Sequence, residues 1–243
     1  MSTSRLDDEF NPPSTAGQRG AAKGAAKRAG AARYHHGDLH AALRTEAERI
    51  LKTRGATEVS LREVARGVGV SHAAPYRHYA NREALLADLA ARGFERLHAR
   101  FEALPRRVKA ARRFAALLQA YLEFAASEPA IYRLMFGPDL RKADHPQLAQ
   151  AGYRALDVVR RAIEALDIPP PATAEAMAAW SLAHGLALLI LDQRLEFEPG
   201  VDEPMEHLAL VRRAADIFMA GLQAGRLSAA VAKPAGAAPR RKP

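Results

Sequence analysis

Residues 61–79 read LREVARGVGVSHAAPYRHY, and their spacing decides the architecture of the N-terminal part of the chain. Ser60-Leu61-Arg62-Glu63 has the form of a capping box. The serine hydroxyl can accept from the Glu63 backbone N–H, and the glutamate can reach back to the serine N–H. A helix is therefore predicted over 61–68. Ala65 falls where two helices would cross closely, which calls for a small side chain. Gly69, four residues on, supplies the left-handed backbone that a short inter-helix turn demands. Val64, Val68 and Val70 face a small core. Ser71 then caps a second short helix, predicted over 72–79, with His72, Tyr76, Arg77 and His78 on its outer face. A short helix with donors on its exposed side fits the major groove of DNA. Asn81 caps the next helix and Arg82 stands in its first turn, so a helix N-terminus and a cation together make a phosphate clamp. Helix, glycine turn and helix also occur in plain bundles, where Tyr76 or Tyr79 would be core aromatics.

Moving outward, Asp38 is the expected N-cap of a helix over 38–54, with Leu39, Ala42, Leu43, Ala47, Ile50 and Leu51 forming one apolar stripe and Gly55 ending it. Downstream, helical periodicity predicts segments over 82–103, 107–127, 129–136, 146–166, 172–195 and 204–224. Pro105, Gly137-Pro138, Pro146, Pro169-Pro170-Pro171, Pro199-Gly200 and Pro204 punctuate them. No segment alternates with period two, and Ala, Leu, Arg and Glu dominate. The fold class is all-α, with about nine helices: a short-helix module first, then a long-helix remainder.

The chain has 243 residues and a net charge of +9, which invites a nucleic-acid partner until its distribution is read. Residues 1–33 carry six Lys/Arg against three acids, and residues 226–243 carry five Lys/Arg and no acid. The body over 34–225 is nearly balanced, 25 basic against 24 acidic, and its basic excess sits in residues 34–100. Both tails are poor in large apolar side chains, so burial cannot offset the entropy of ordering them. They are expected to be disordered basic arms (1–33 and 226–243), either solvated or weakly phosphate-binding. There is no cysteine, which excludes disulfides and thiolate metal sites. The start, MSTSRLDDEF, lacks signal-peptide character, and no uninterrupted apolar run reaches membrane-spanning length. A cytoplasmic location away from membranes is the expectation.

The stretch GVSHAAPYRHYANREALLADLA, preceded by SLREVARGVGV, resembles the DNA-binding domain of the tetracycline-repressor (TetR) family of bacterial regulators, over about residues 38–91. The resemblance implies a helix-turn-helix domain over 34–82 and a helical ligand-binding and dimerisation domain over 83–225. It implies that Ser60 and Arg62 touch phosphates, and that Ser71, His72, Ala73 and Ala74 face base edges. Arg77 and His78 would lie near bases or backbone, Tyr76 would bond a phosphate, and Arg82 stands where the family commonly has a phosphate-binding lysine. Pro75 departs from the pattern, since many relatives carry an apolar residue there. Double-stranded operator DNA, a homodimer and a small-molecule effector follow as implied partners.

In the remainder, AWSLAHGLALLILDQRL places Trp180 and His184 at i and i+4 on one helix face, followed by Gly185. With YRLMFGPDL and HPQLAQAGYRAL it resembles the C-terminal domain type named for its Trp-His-Gly signature. Candidate ligand-contacting side chains are Phe101, Tyr121, Phe124, Met135, Phe136, Tyr153, Met177, Trp180, His184 and Leu188, a Met-rich and aromatic set suited to a largely apolar effector. Each can equally be core, and Trp180 with His184 can equally be a structural pair with Gly185 allowing close helix packing. The stripes Ala176, Ala179, Ala183, Ala187, Leu191 and Leu208, Val211, Ala215, Phe218, Leu222 suit a four-helix dimer interface through 172–195 and 204–224, or packing within one subunit. His145, His184 and His207 match no helical metal-ligand spacing, so no metal and no cofactor is expected. No nucleophile–base arrangement, phosphate loop or paired carboxylate appears, which argues against an enzyme.

Overall fold

The computed structural model describes residues 36–138, 140–168, 172–195 and 207–231, with side chains left out at 36–38, 207–208 and 226–231. Met1–Leu39 and His40–Pro243 form separate compact units, and of the first only the start of one helix is described. Eight α-helices run in order among the described residues: α1 (His36–Arg54), α2 (Leu61–Val68), α3 (Arg82–Ala103), α4 (Ala110–Ser127), α5 (Pro129–Phe136), α6 (Pro146–Glu164), α7 (Thr173–Leu191) and α8 (His207–Val231). Short 3-10 turns occupy Ala56–Glu58, Pro75–Arg77 and Lys142–Asp144. The all-helical class is as the periodicity predicts.

Several local expectations change. α1 already includes His36, so Asp38 lies in its first turn rather than at the cap. The segment predicted as a helix over 72–79 is a turn followed by the single 3-10 turn Pro75–Arg77. Proline explains this: without an N–H, Pro75 cannot donate to the Ser71 carbonyl, and an α-helix loses its first i→i−4 bond there. The bonds that do form are mostly one residue shorter, Ala74 N–H to Ser71 O at 3.0 Å, Arg77 to Ala74 at 3.3 Å and His78 to Pro75 at 2.9 Å. Ser71 supplies its carbonyl and not a side-chain cap. The final helix continues to Val231, beyond the predicted end, and the tails 1–33 and 232–243 lie outside the described residues.

α3 is the hinge of the packing. It packs against α5 and α6 along its length, with Leu85, Leu86, Leu89, Phe94, Leu97 and Phe101 buried, and side-chain bonds from Arg82 and Asp88 tie its first half to the short-helix module. At Gly93 the approach to α5 is so close that a Cβ would lie 2.6 Å from Ile131 Cγ2 and 2.5 Å from Met135 Sδ. α4 lies against α5, α6, α7 and α8, with Phe114 stacked on Phe218 of α8 at 5.1 Å between ring centres.

The alanine stripe of α7 faces inward. Ala176, Ala179, Ala183 and Ala187 are buried against α4 and α6, as are Val211 and Ala215 of α8 against α4. The packing these small residues allow is therefore within one subunit, the second of the two placements the sequence leaves open. α7 is also the one described helix long and apolar enough to cross a membrane by length and composition, and 28% of its most apolar 18-residue window is buried. The sequence expectation misses it because Glu175, Ser181 and His184 interrupt the apolar run.

Candidate functional sites

The short-helix module is held by polar groups that each have one local task. Ser60 Oγ accepts from Glu63 N–H at 3.2 Å and caps α2. Glu63 does not reach back as a capping box would; its carboxylate pairs with Arg54 at 3.2 Å and with Arg66. α2 ends at Gly69, φ 78° and ψ 29°, with Val70 N–H on Ala65 O at 3.0 Å and Gly69 N–H on Arg66 O at 3.2 Å. That is a Schellman ending, and it turns the chain sharply into the Ser71–Tyr79 segment. Asn81 Oδ1 accepts from Ala84 N–H at 2.8 Å and caps α3. Asp88, one turn further along α3, gathers the Tyr79 hydroxyl at 2.7 Å and Arg44 Nε of α1 at 3.0 Å. Burial and the bond to Asp88 hold the Tyr79 phenol well above its ordinary value, so it stays a donor.

On this frame Arg62, Ser71, His72, Ala73, Tyr76 and Arg77 are exposed, and Tyr76 is 55% exposed. An exposed tyrosine beside two arginines is available to a polyanion, whereas Tyr79 is buried. Ala74 is half-buried and Pro75 buried, so the middle of the segment seats it on α2. His78 stacks on His40 at 5.4 Å. Burial and Arg44 hold the His40 imidazole below its ordinary pKa. Arg82 turns inward: Nε donates to Val59 O at 2.8 Å and Nη2 to Ala56 O at 2.6 Å. Its guanidinium ties the start of α3 to the loop that carries Ser60, a role the sequence does not suggest.

The body holds a second polar cluster inside apolar surroundings. The Tyr132 hydroxyl hydrogen-bonds His184 Nδ1 at 2.6 Å, and the Tyr121 hydroxyl lies 3.2 Å from both. Burial pushes the Tyr132 phenol up to about 12 and Tyr121 higher still. Burial, and then the charge of Lys142, hold His184 below its ordinary value, so all three are neutral near pH 7. Trp180 packs edge-on to Tyr121 at 5.7 Å and to Phe136 at 6.0 Å, with Phe136 also against His184 at 4.5 Å. Gly185 does not serve close packing within the subunit, because a Cβ there would meet nothing within 4 Å.

The ten candidate ligand contacts do not share one cavity. Phe101, Tyr121 and Trp180 border an inner void of about 20 Å³, room for one water. Tyr153, Met177 and Trp180 border an outer cavity of about 210 Å³ together with Lys142, Gly152 and Leu156. Phe124 and Met135 are core; Phe136, His184 and Leu188 are partly exposed but border neither cavity. Lys142 is the member that sequence reasoning misses. Its ammonium stands 4.6 Å above the Phe94 ring and 5.5 Å from that of Phe136, contacts worth roughly 0.5–2 kcal/mol each. Burial lowers its pKa. Its neighbours are far apart in sequence, and only the register of α6 against α3 brings them together. Among the described residues no three His, Cys, Asp or Glu side chains gather as a metal site; His207's side chain lies outside them.

Comparisons with known proteins agree with this geometry. Residues 43–89 match the family described as bacterial regulatory proteins of the tetR family, and residues 114–235 match the tetracyclin repressor-like C-terminal domain. No curated protein sequence matches the chain. Among solved structures, a protein with unknown function from Rhodococcus sp. RHA1 is 35% identical, with 78% of this chain and 97% of that one covered at a TM-score of 0.65. A bacterial regulatory protein of the tetR family from Rhodococcus RHA1 shares the fold at 21% identity, 76% and 96% coverage and a TM-score of 0.56. The TetR-family regulator PfmR from Thermus thermophilus does so at 17% identity, 73% and 97% coverage and 0.53. The chain belongs to the tetracycline repressor-like (TetR) family of bacterial regulatory proteins, and it is a DNA-binding transcriptional regulator rather than an enzyme.

Proposed function

We propose that the protein is a cytoplasmic repressor that binds a palindromic operator as a homodimer and is released by a small-molecule effector held in its body, without a cofactor. The observation that carries this reading is the exposure of Ser71, His72, Ala73, Tyr76 and Arg77 on a frame set by helix caps, a Schellman turn and the Arg82 tie. Arg62 and Tyr76 are assigned to phosphates, which position the protein, and Ser71, His72, Ala73 and Ala74 to base edges, which specify sequence. Arg77 and His78 border both. Ser60 and Arg82 act on the same surface, the first by capping α2 and the second by fixing the loop before it.

Support for the dimer comes from the outer faces of α7 and α8. Leu189 and Ile217 are 41% and 59% exposed, and a Cβ at Gly185 or Gly221 would meet nothing within 4 Å. An apolar face with room for a close neighbour suits self-association. Selection from random double-stranded DNA tests the reading: it should enrich a palindrome with half-sites about one helical turn apart. Enrichment of no sequence, or binding that vanishes when 1–33 and 232–243 are removed, would leave only sequence-blind attraction through the tails. Tyr76→Phe should weaken binding by about two- to ten-fold on every sequence, whereas His72→Ala should change base preference.

A further inference from the structure

We propose that Lys142 and the outer cavity of the body form the recognition site for a small monocarboxylate, with the carboxylate on the lysine ammonium and the apolar part against Tyr153, Leu156, Met177 and Trp180. This rests on reading the body as an effector domain and adds the chemical class of the effector.

The cavity is about 210 Å³, roughly ten times the inner void, and its walls are mainly carbon apart from one cation. Among the described residues that cation has no carboxylate within ion-pair distance. The acid nearest in sequence, Asp144, pairs instead with Arg141 at 2.7 Å, and Glu83 with His145 at 3.0 Å. Lys142 is an exposed residue taken whole, yet its ammonium end bends over Phe94 and Phe136. Ring faces satisfy part of the charge and accept no strong hydrogen bond from it. Gly152 lies beside it: a Cβ there would stand at ordinary contact distance, 3.6 Å from Lys142 Nζ and 3.8 Å from Phe94 Cζ. His184 is engaged with Tyr132 and supplies no counter-charge.

A cation with free donors at the edge of a small apolar cavity selects an anion with a short hydrophobic body. One ammonium without an arginine fork suits a single negative charge; phosphate recognition ordinarily adds guanidinium or several backbone N–H donors. The flat faces of Tyr153 and Trp180 favour an aryl or short branched acid. A shallower groove that shares Ala149, Tyr153 and Leu156 with the cavity gives access from solvent.

Trp180 is the only tryptophan in the chain, and the inner void it also borders, about 20 Å³, is too small for either probe, so a saturable change in its emission reports the outer cavity. The probes are phenylacetate and its neutral isostere phenylacetamide, titrated into the full-length protein. Phenylacetate should change the Trp180 emission saturably and bind at least about ten-fold more tightly than the amide, the difference expected of a hydrogen bond to a charged group. Lys142→Met, which keeps the length of the stem, should remove that preference and leave amide binding unchanged. Gly152→Ala, whose methyl enters the cavity at ordinary contact distance, should weaken both probes. Equal affinity for acid and amide, a preference that survives in Lys142→Met, or no saturable response to phenylacetate at millimolar concentrations overturns the proposal. Operator occupancy measured in the same samples separates the two readings. A Trp180 response with unchanged operator binding upholds the anion site and defeats the effector role. Release by acid and amide alike upholds the effector role and defeats the part assigned to Lys142.

Discussion

The short-helix module and the long-helix body are stabilised in different ways. In the module, polar side chains close specific backbone valences: Ser60 and Asn81 cap helices, Gly69 ends one, and Arg82 binds two carbonyls. In the body, apolar faces do most of the work, and the principal buried polar cluster, Tyr121, Tyr132 and His184, is closed on itself. The module consequently has its helix ends and loops tied around an exposed reading segment, whereas the body keeps a cavity and an uncovered apolar face. A braced reader on a body with free volume suits a protein that must recognise one surface and respond to another.

Substitutions can break or sharpen this contrast. The largest effect is expected in the body at Gly93→Ala, because the added methyl meets Ile131 and Met135 well inside contact distance. Overpacking of that kind costs about 2–3 kcal/mol and should lower the melting temperature markedly. In the module, Arg82→Met leaves two carbonyls without their charged donor. A loss of about 2 kcal/mol is expected from denaturant unfolding, together with weaker operator binding although the residue need not touch DNA. If stability fell without any change in affinity, the tie would not be what positions Ser60 and α2. Ser60→Ala should cost about 1 kcal/mol, and Ser60→Asp should restore it.

The smallest effect is a pH dependence. His184 has a folded pKa below the free value of 6.5, so the unfolded chain binds its proton first. Its stability contribution is complete above about pH 6.5 and is lost as the pH falls from there through the lowered folded value. Melting temperatures measured from pH 8 to pH 5 should decline less steeply in His184→Gln than in the parent. Equal slopes would place the acid sensitivity elsewhere, with His40 the next candidate because its pKa is also lowered by burial.

The same contrast explains what can be read without coordinates. The bounds of α2, α3 and α5 follow from caps and breakers, because each signal lies within four residues of the feature it determines. The proline effect is visible as an anomaly at Pro75, but the loss of the α-helix over 72–79 requires tracing which carbonyls lack their donors. Glu63 shows the limit of a local rule: the capping box is half formed, because Arg54 and Arg66 offer the carboxylate charged partners instead. In the body, the Trp180–His184 face is legible, yet its environment is not. Phe136 and Tyr132 come from another helix, and Lys142 comes from a connection with no periodic signal. The alanine stripe of α7 is recognisable as a close-packing surface, but whether it faces the same subunit or a partner is not legible, since periodicity gives a face without its neighbour.

Gly93 carries a mechanical consequence. α3 has 22 residues, and Gly93 lies midway along it, at the point where the helix presses hardest on α5. At 1.5 Å per residue, about 17 Å of helix separates that seat from Arg82. A tilt of about 10° about the seat would swing the Arg82 end by about 3 Å, roughly a quarter of the width of a DNA major groove. Because Arg82 is fastened to the carbonyls of Ala56 and Val59, the loop before α2 would travel with it. The glycine thus marks the close seat of α3 on α5, and two hydrogen bonds couple the far end of the helix to the loop before α2.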